Sequence, residues 1–214
     1  MASAGKTFIV EHLDEELGLW SELEYLAIAA ESEESKSKFI LSCLPPNFQV
    51  PAALSASKAF TAEHRGVEEL YAGQKSRVCL LDPAAAKDLA PGDGETFDAF
   101  LFGGILGKWA RWRGMSTWGD RTSELRKKGF EGRRLGPKQM TTDTAVRVTR
   151  MVVQDKIPLD EVPYLDFPEL KFSEHESTEM PFRYVEGADG KPIMPKGMVD
   201  LIQKDADKSV DDLF

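Results

Sequence analysis

Phe97-Asp-Ala-Phe-Leu-Phe102 runs without a break into Gly103-Gly104-Ile105-Leu106-Gly107. A short apolar run bounded by turn residues predicts a strand buried on both faces. Glycines directly after it let main chain approach a ligand closely. In an open parallel sheet, ligands bind just beyond the carboxyl ends of the strands. Upstream the same kind of run recurs three times, as Thr7-Phe-Ile-Val-Glu-His-Leu-Asp14, Lys38-Phe-Ile-Leu-Ser-Cys-Leu44 and Arg77-Val-Cys-Leu-Leu-Asp82. Pro45-Pro46 and Pro83 stop the last two.

Helical patterns alternate with these strands. Trp20, Leu23, Leu26 and Ala27 mark one helix face, and Ser32 to Lys38 reads as a turn. A helix is expected near Glu63–Tyr71, a short helix or turn over Ala84–Leu89, and a loop at Pro91-Gly-Asp-Gly94. Downstream, Thr122 to Lys128 looks helical and is closed by Gly129. Arg133 to Met140 reads as a loop around a short strand. Thr141 to Asp155 is the clearest helix, with Thr141 or Thr142 as its cap. Its stripes are Ala145, Val148, Val152 and, on another side, Val146 and Val153, so it is expected between packed elements. Leu159 to Leu170 is expected to be strand-like around Tyr164-Leu165-Asp166, interrupted by Pro163 and Pro168, and residues 186–214 are turn-rich, then acidic, with the tail at 200–214 frayed or a short helix. The whole predicts an α/β fold: a mostly parallel sheet with helices on both faces, as one domain over residues 1–214.

With 42% hydrophobic and 29% charged residues, the chain has a globular rather than a disordered composition. No apolar run approaches a membrane span, and the first residues lack a secretory pattern, so a cytoplasmic protein without membrane contact is expected. Cys43 and Cys79 sit in apolar runs and read as core residues. His12, His64 and His175 show no metal-ligand spacing, so no metal is expected. The net charge of −9 favours a basic partner over an acidic one. A local basic cluster, Arg126, Lys127, Lys128, Arg133, Arg134 and Lys138, keeps RNA contact as the less favoured alternative.

A second loop suited to ligand contact is Leu135-Gly136-Pro137-Lys138-Gln139-Met140, directly before the capped helix. Neither loop has the spacing of a phosphate cradle. A nucleoside held by main-chain contacts fits better than a nucleotide held by its phosphates.

Five segments in order carry a resemblance: Phe102-Gly-Gly-Ile-Leu-Gly107, Asp120-Arg-Thr-Ser-Glu-Leu-Arg126, Arg134-Leu-Gly-Pro-Lys-Gln-Met140, Thr141-Thr-Asp-Thr-Ala145 and Val162-Pro-Tyr-Leu-Asp166. They resemble a small family of SPOUT-class protein-arginine methyltransferases, whose yeast member acts on a KH-domain protein of the small ribosomal subunit. The resemblance runs from about Phe8 to Tyr184. It implies an alpha-beta knot, in which the C-terminal part of the sheet threads a trefoil. It implies S-adenosyl-L-methionine as cofactor, cradled by Gly103, Gly104, Ile105, Leu106 and Gly107, by Leu135 to Met140, and by Val162, Pro163 and Tyr164. It also implies a basic ribosomal protein of the small subunit as substrate.

An arginine acceptor is always protonated in water and must lose a proton when methylated. A carboxylate can orient the guanidinium and take that proton. Candidates are Asp120, Glu124 and Glu11, with Arg121 placed to hold an acid or the cofactor carboxylate. The plainer reading is that Asp120 caps a helix and Glu124 pairs with Lys127 or Lys128. The class alternatives are an RNA methyltransferase and a non-catalytic interaction protein with a vestigial pocket. A monomer is slightly favoured over a homodimer.

Residues 108–119 depart from the family pattern and hold Trp109, Trp112 and Trp118. They are either an insertion or a gene-model error. Gly107-Lys108-Trp109 can be encoded GGT-AAG-TGG, which contains the splice-donor-like string GTAAGT. A cDNA that encodes the three tryptophans sinks the second reading.

Overall fold

In the computed structural model, which describes residues 5–12, 14, 16–103, 121–173 and 176–211, the apolar runs form one sheet. Its strands are β1 (Thr7–Glu11), β2 (Lys38–Ser42), β3 (Phe60–Ala62), β4 (Val78–Leu81), β5 (Ala99–Gly103) and β6 (Glu131–Arg133). They lie in the order β3-β2-β1-β5-β4-β6, and every neighbouring pair is parallel.

Side chains alternate between two cores, as a strand's twofold period requires. Phe8, Val10, Phe39, Leu41, Cys79, Leu81, Phe100 and Phe102 pack on one face. There they meet Tyr25 and Ile28 of α1 (Leu19–Glu34) and Val146, Val148, Val152 and Val153 of α6 (Thr142–Val153). Ile9, Val78, Leu80, Ala99 and Leu101 face the other way, against Val67 of α3 (Val67–Leu70) and Leu125 of α5 (Arg121–Lys127). The sheet is therefore covered on both faces.

The order of strands reverses direction between β1 and β5. Glu11 pairs in register with Gly103, so both strands end level at this switch point. The first glycine loop therefore starts where an open α/β sheet binds ligands.

Two small antiparallel sheets complete the chain: β7 (Tyr164–Asp166) with β10 (Arg183–Val185), and β8 (Glu169–Lys171) with β9 (Ser177–Glu179). Leu170, Met180, Phe182, Tyr184, Met198 and Ile202 form a third core beneath α7 (Met198–Asp211), with Trp20 and Leu23 of α1 packed on it.

Several expectations need correction. The turn expected over Ser32 to Lys38 starts later, because α1 runs on to Glu34; Ser32 is buried and extends the helix's inner face. Residues 47–76 hold α2 (Ala52–Ser55), β3, and an α3 shorter than expected near Glu63–Tyr71. The Pro91–Gly94 loop leads into a helical turn, α4 (Asp93–Thr96), where the Asp93 carboxylate accepts the Ala90 amide at 2.8 Å. The C-terminal segment forms a helix of 14 residues rather than a short one. Cys79 is buried, but Cys43 is only half-buried and has φ 60°, turning the chain out of β2.

Candidate functional site

Gly136 opens the second loop in the left-handed region, with φ +81°, where a side chain would be strained. The loop leaves β6 and ends at Met140, which is buried in the same core as Phe102, Val162 and Val185. Leu135 and Tyr164 are half-buried against that core. The second and third cradle segments therefore share a floor with the end of β5.

β10 ties those two segments together. The Arg183 amide donates to the Gln139 carbonyl at 2.8 Å, and Arg183 also bridges to Met140. The Arg183 guanidinium donates to Asp166 at 2.6 and 3.1 Å, and lies over the Tyr164 ring at 4.3 Å. Lys138 reaches the same carboxylate at 2.5 Å and sits above the Phe167 ring. These two cations hold the Asp166 carboxyl down at about 2. Burial pushes the Tyr164 phenol up to about 12, with Arg183 opposing it. Pro163 is exposed, but its carbonyl accepts the Glu186 amide at 2.9 Å. The bracket of Asp166 and Arg183 escaped sequence reasoning. Its one visible signal was a charge in the apolar run Phe182-Arg-Tyr-Val185.

Of the first loop, Gly103 is described, while Gly104, Ile105, Leu106 and Gly107 lie outside the described residues, as do the candidate acid Asp120 and residues 108–119. A Cβ on Gly103 would meet Leu125 and Thr122 at ordinary contact distances, so α5 stands directly against the end of β5. Arg121 begins α5.

The other candidate acids have other partners. Glu11 is fully buried; one oxygen accepts the Val67 amide at 2.9 Å and the other pairs with Lys128 at 2.6 Å. Glu124 is exposed and pairs with Lys127 at 2.6 Å, three positions along α5. The basic cluster is likewise engaged. Arg126 pairs with Asp82, Lys128 with Glu11 and Glu68, Arg133 with Asp93 and Glu131, Arg134 with Asp88, and Lys138 with Asp166. With Lys127 on Glu124, every cation of the cluster has a carboxylate partner.

The clearest helix is capped differently from expectation. Thr141 takes the N-cap position, but its hydroxyl bonds to the Thr144 hydroxyl at 2.8 Å. The Thr142 amide donates instead to Glu24 Oε1 of α1 at 2.9 Å. Among the described residues no group of His, Cys, Asp or Glu has a metal-holding arrangement, and no helix is long and apolar enough to cross a membrane.

An open parallel sheet with a loop bracket near the end of β5 defines the class of α/β proteins whose ligands bind beyond the carboxyl ends of the strands. Comparison with known proteins narrows the class. The family described as "Protein arginine N-methyltransferase SFM1-like" matches residues 7–209. Protein arginine N-methyltransferase SFM1 of Saccharomyces cerevisiae is 42% identical over 97% of this chain and 99% of its own. The crystal structure of the yeast arginine methyltransferase SFM1 complexed with SAM has a TM-score of 0.80 at 41% identity, covering 94% of this chain and 91% of that one. The same enzyme complexed with SAH gives 0.79 at 40% identity, with 92% and 94% covered. The chain belongs to the SFM1-like family of protein arginine N-methyltransferases.

Proposed function

We propose that this protein methylates an arginine of a basic protein, with S-adenosylmethionine as donor and a small-subunit ribosomal protein as acceptor. Family membership over residues 7–209 carries the reading. When bound, the cofactor supplies an electrophilic methyl on a sulfonium. The residues present suit it: Gly136 keeps its loop backbone free of a Cβ, and the half-buried Tyr164 offers an aromatic ring beside that loop. Leu135 to Met140, Val162 to Tyr164 and Gly103 to Gly107 form its cradle. We read the C-terminal part as the trefoil knot of the SPOUT class, and the protein as a cytoplasmic monomer.

The acceptor guanidinium needs a carboxylate to orient it and take its proton. Asp120 is the preferred base. Glu124 is second, since it pairs with an exposed lysine that an incoming arginine can displace. Glu11 serves as support, because both its oxygens are committed.

The engaged basic cluster favours protein over RNA as acceptor. Cations neutralised by neighbouring carboxylates release few counterions on meeting phosphate. The test is methyl-labelled S-adenosylmethionine with ribosomal subunits from cells lacking the enzyme. Label lost to protease and mapped to arginine is expected. Label lost to ribonuclease would move the acceptor to RNA.

A further inference from the structure

Glu24 and Asp143 are two carboxyl side chains with only 1% and 2% exposure, brought together where α1 crosses the start of α6. The preferred local cap for α6 was at hand in Thr141, and its hydroxyl is spent on Thr144. A carboxyl from α1 caps the helix in its place, at the expense of leaving water. A cap supplied across 118 positions of sequence is a tether between elements rather than a local stop signal.

We propose that Glu24 is a positioning residue for the cofactor cradle: by capping the first amide of α6, it fixes where Met140 and Thr141 leave the second loop. This rests on the reading that Leu135 to Met140 holds the cofactor. β10 secures the same loop one residue earlier, through the Arg183 amide on the Gln139 carbonyl. Its next residue, Tyr184, is buried beside the acid pair. The loop's exit is thus held from two sides, by Arg183 of β10 and by Glu24 of α1.

The pair's surroundings set its charge. Burial, then Asp143, pushes the Glu24 carboxyl well above the ordinary range, and hydrogen bonds from Thr142 and Trp20 only partly oppose this. Burial raises Asp143 to about 6, opposed first by the Thr141 side chain and then by Arg147 of α6, with Glu31 of α1 pushing up. Tyr184 faces both acids from β10, and burial first, then the two acids, push its phenol upward. Each acid is therefore protonated more readily than it would be in water. A neutral Glu24 still accepts the Thr142 amide through its carbonyl oxygen.

The experiment is calorimetric binding of S-adenosylhomocysteine to the full chain, with melting temperatures alongside. Glu24→Leu, measured well below its melting temperature, is expected to weaken binding about fivefold to tenfold, the worth of one lost cap. Glu24→Gln, neutral and still an acceptor, is expected to restore affinity. A folded Glu24→Leu that binds like wild type overturns the proposal. If that variant does not fold, Glu24→Met takes its place, and a folded Glu24→Met that binds like wild type overturns the proposal. Gly136→Val separates the two readings. Unchanged binding there sinks the cradle, while lost binding there with intact binding in Glu24→Leu sinks only the role of Glu24.

Discussion

Glu11 illustrates what burial does to a candidate catalytic acid. Its carboxylate has no exposure and bonds an amide and an ammonium, so its first task is structural. Glu11→Ala strands the Val67 amide and leaves Lys128 with Glu68 alone. Urea unfolding is expected to show a loss of about 2–4 kcal/mol, because a buried group has lost its partner. Glu11→Gln keeps an acceptor for Val67 and should lose about half as much. A variant with normal stability and no turnover would return Glu11 to the chemistry. Asp143 makes a different prediction, of sign. Its carboxyl is raised in the fold to about 6, so the unfolded chain gives up its proton more readily. The stability it contributes is full below its ordinary value near 4 and is lost as pH rises through about 6. Unfolding free energy should thus fall between pH 4 and pH 7, and Asp143→Asn should flatten that slope. An unchanged slope in the variant would mean that another group titrates there.

At the level of elements, α5 is fastened to the sheet by charge at both faces of its last turn. Arg126 grips Asp82 beyond β4 through two nitrogens, at 2.5 and 2.7 Å, and Lys128, just past the helix, reaches Glu11 of β1 and Glu68 of α3. Asp82 is nearly buried, and the Arg126 guanidinium holds its carboxyl below the ordinary range. Arg126→Met keeps the aliphatic stem and removes the grip. We expect it to raise the Michaelis constant for the acceptor protein severalfold and to weaken S-adenosylhomocysteine binding less, since α5 carries Arg121 and Glu124 of the proposed acceptor site and meets the proposed cradle at Gly103. Equal losses in both would show that α5 supports the whole site. Which elements were legible follows the same physics. β1, β2, β4 and β5 are buried on both faces and read as apolar runs. β3, β7, β8 and β9 are three residues each with exposed positions, too short to show a period, so β3, β8 and β9 went unseen. The end of α1 was hidden by its acidic run, Glu31, Glu33 and Glu34, of which Glu33 and Glu34 face outward while Glu31 pairs with Arg147 and Arg150 of α6. The cradle loops were visible through glycine and proline, but the Asp166–Arg183 bracket joins strands that only tertiary pairing brings together.

Across the whole molecule, 36 acidic residues stand against 27 basic ones, and the basic residues clustered in sequence are spent on internal pairs. The field outside the protein is therefore negative, with no free basic stripe among the described residues at positions 126–138. Such a field attracts a cationic acceptor from a distance and repels phosphate. Its reach is a Debye length, about 10 Å at 0.1 M salt, and shrinks as salt is added. Raising salt from about 50 to about 300 mM should therefore raise the Michaelis constant for a basic acceptor protein severalfold. The S-adenosylhomocysteine dissociation constant should barely move, because that ligand is close to neutral overall and the proposed cradle is glycine-rich loop backbone. The same titration with an RNA acceptor separates the alternatives. Salt screens repulsion there, so weak RNA binding should improve or stay level, opposite to a protein that grips phosphates with free cations. RNA binding that collapses steeply with salt would reveal a free basic surface and would overturn the choice of a protein acceptor on electrostatic grounds.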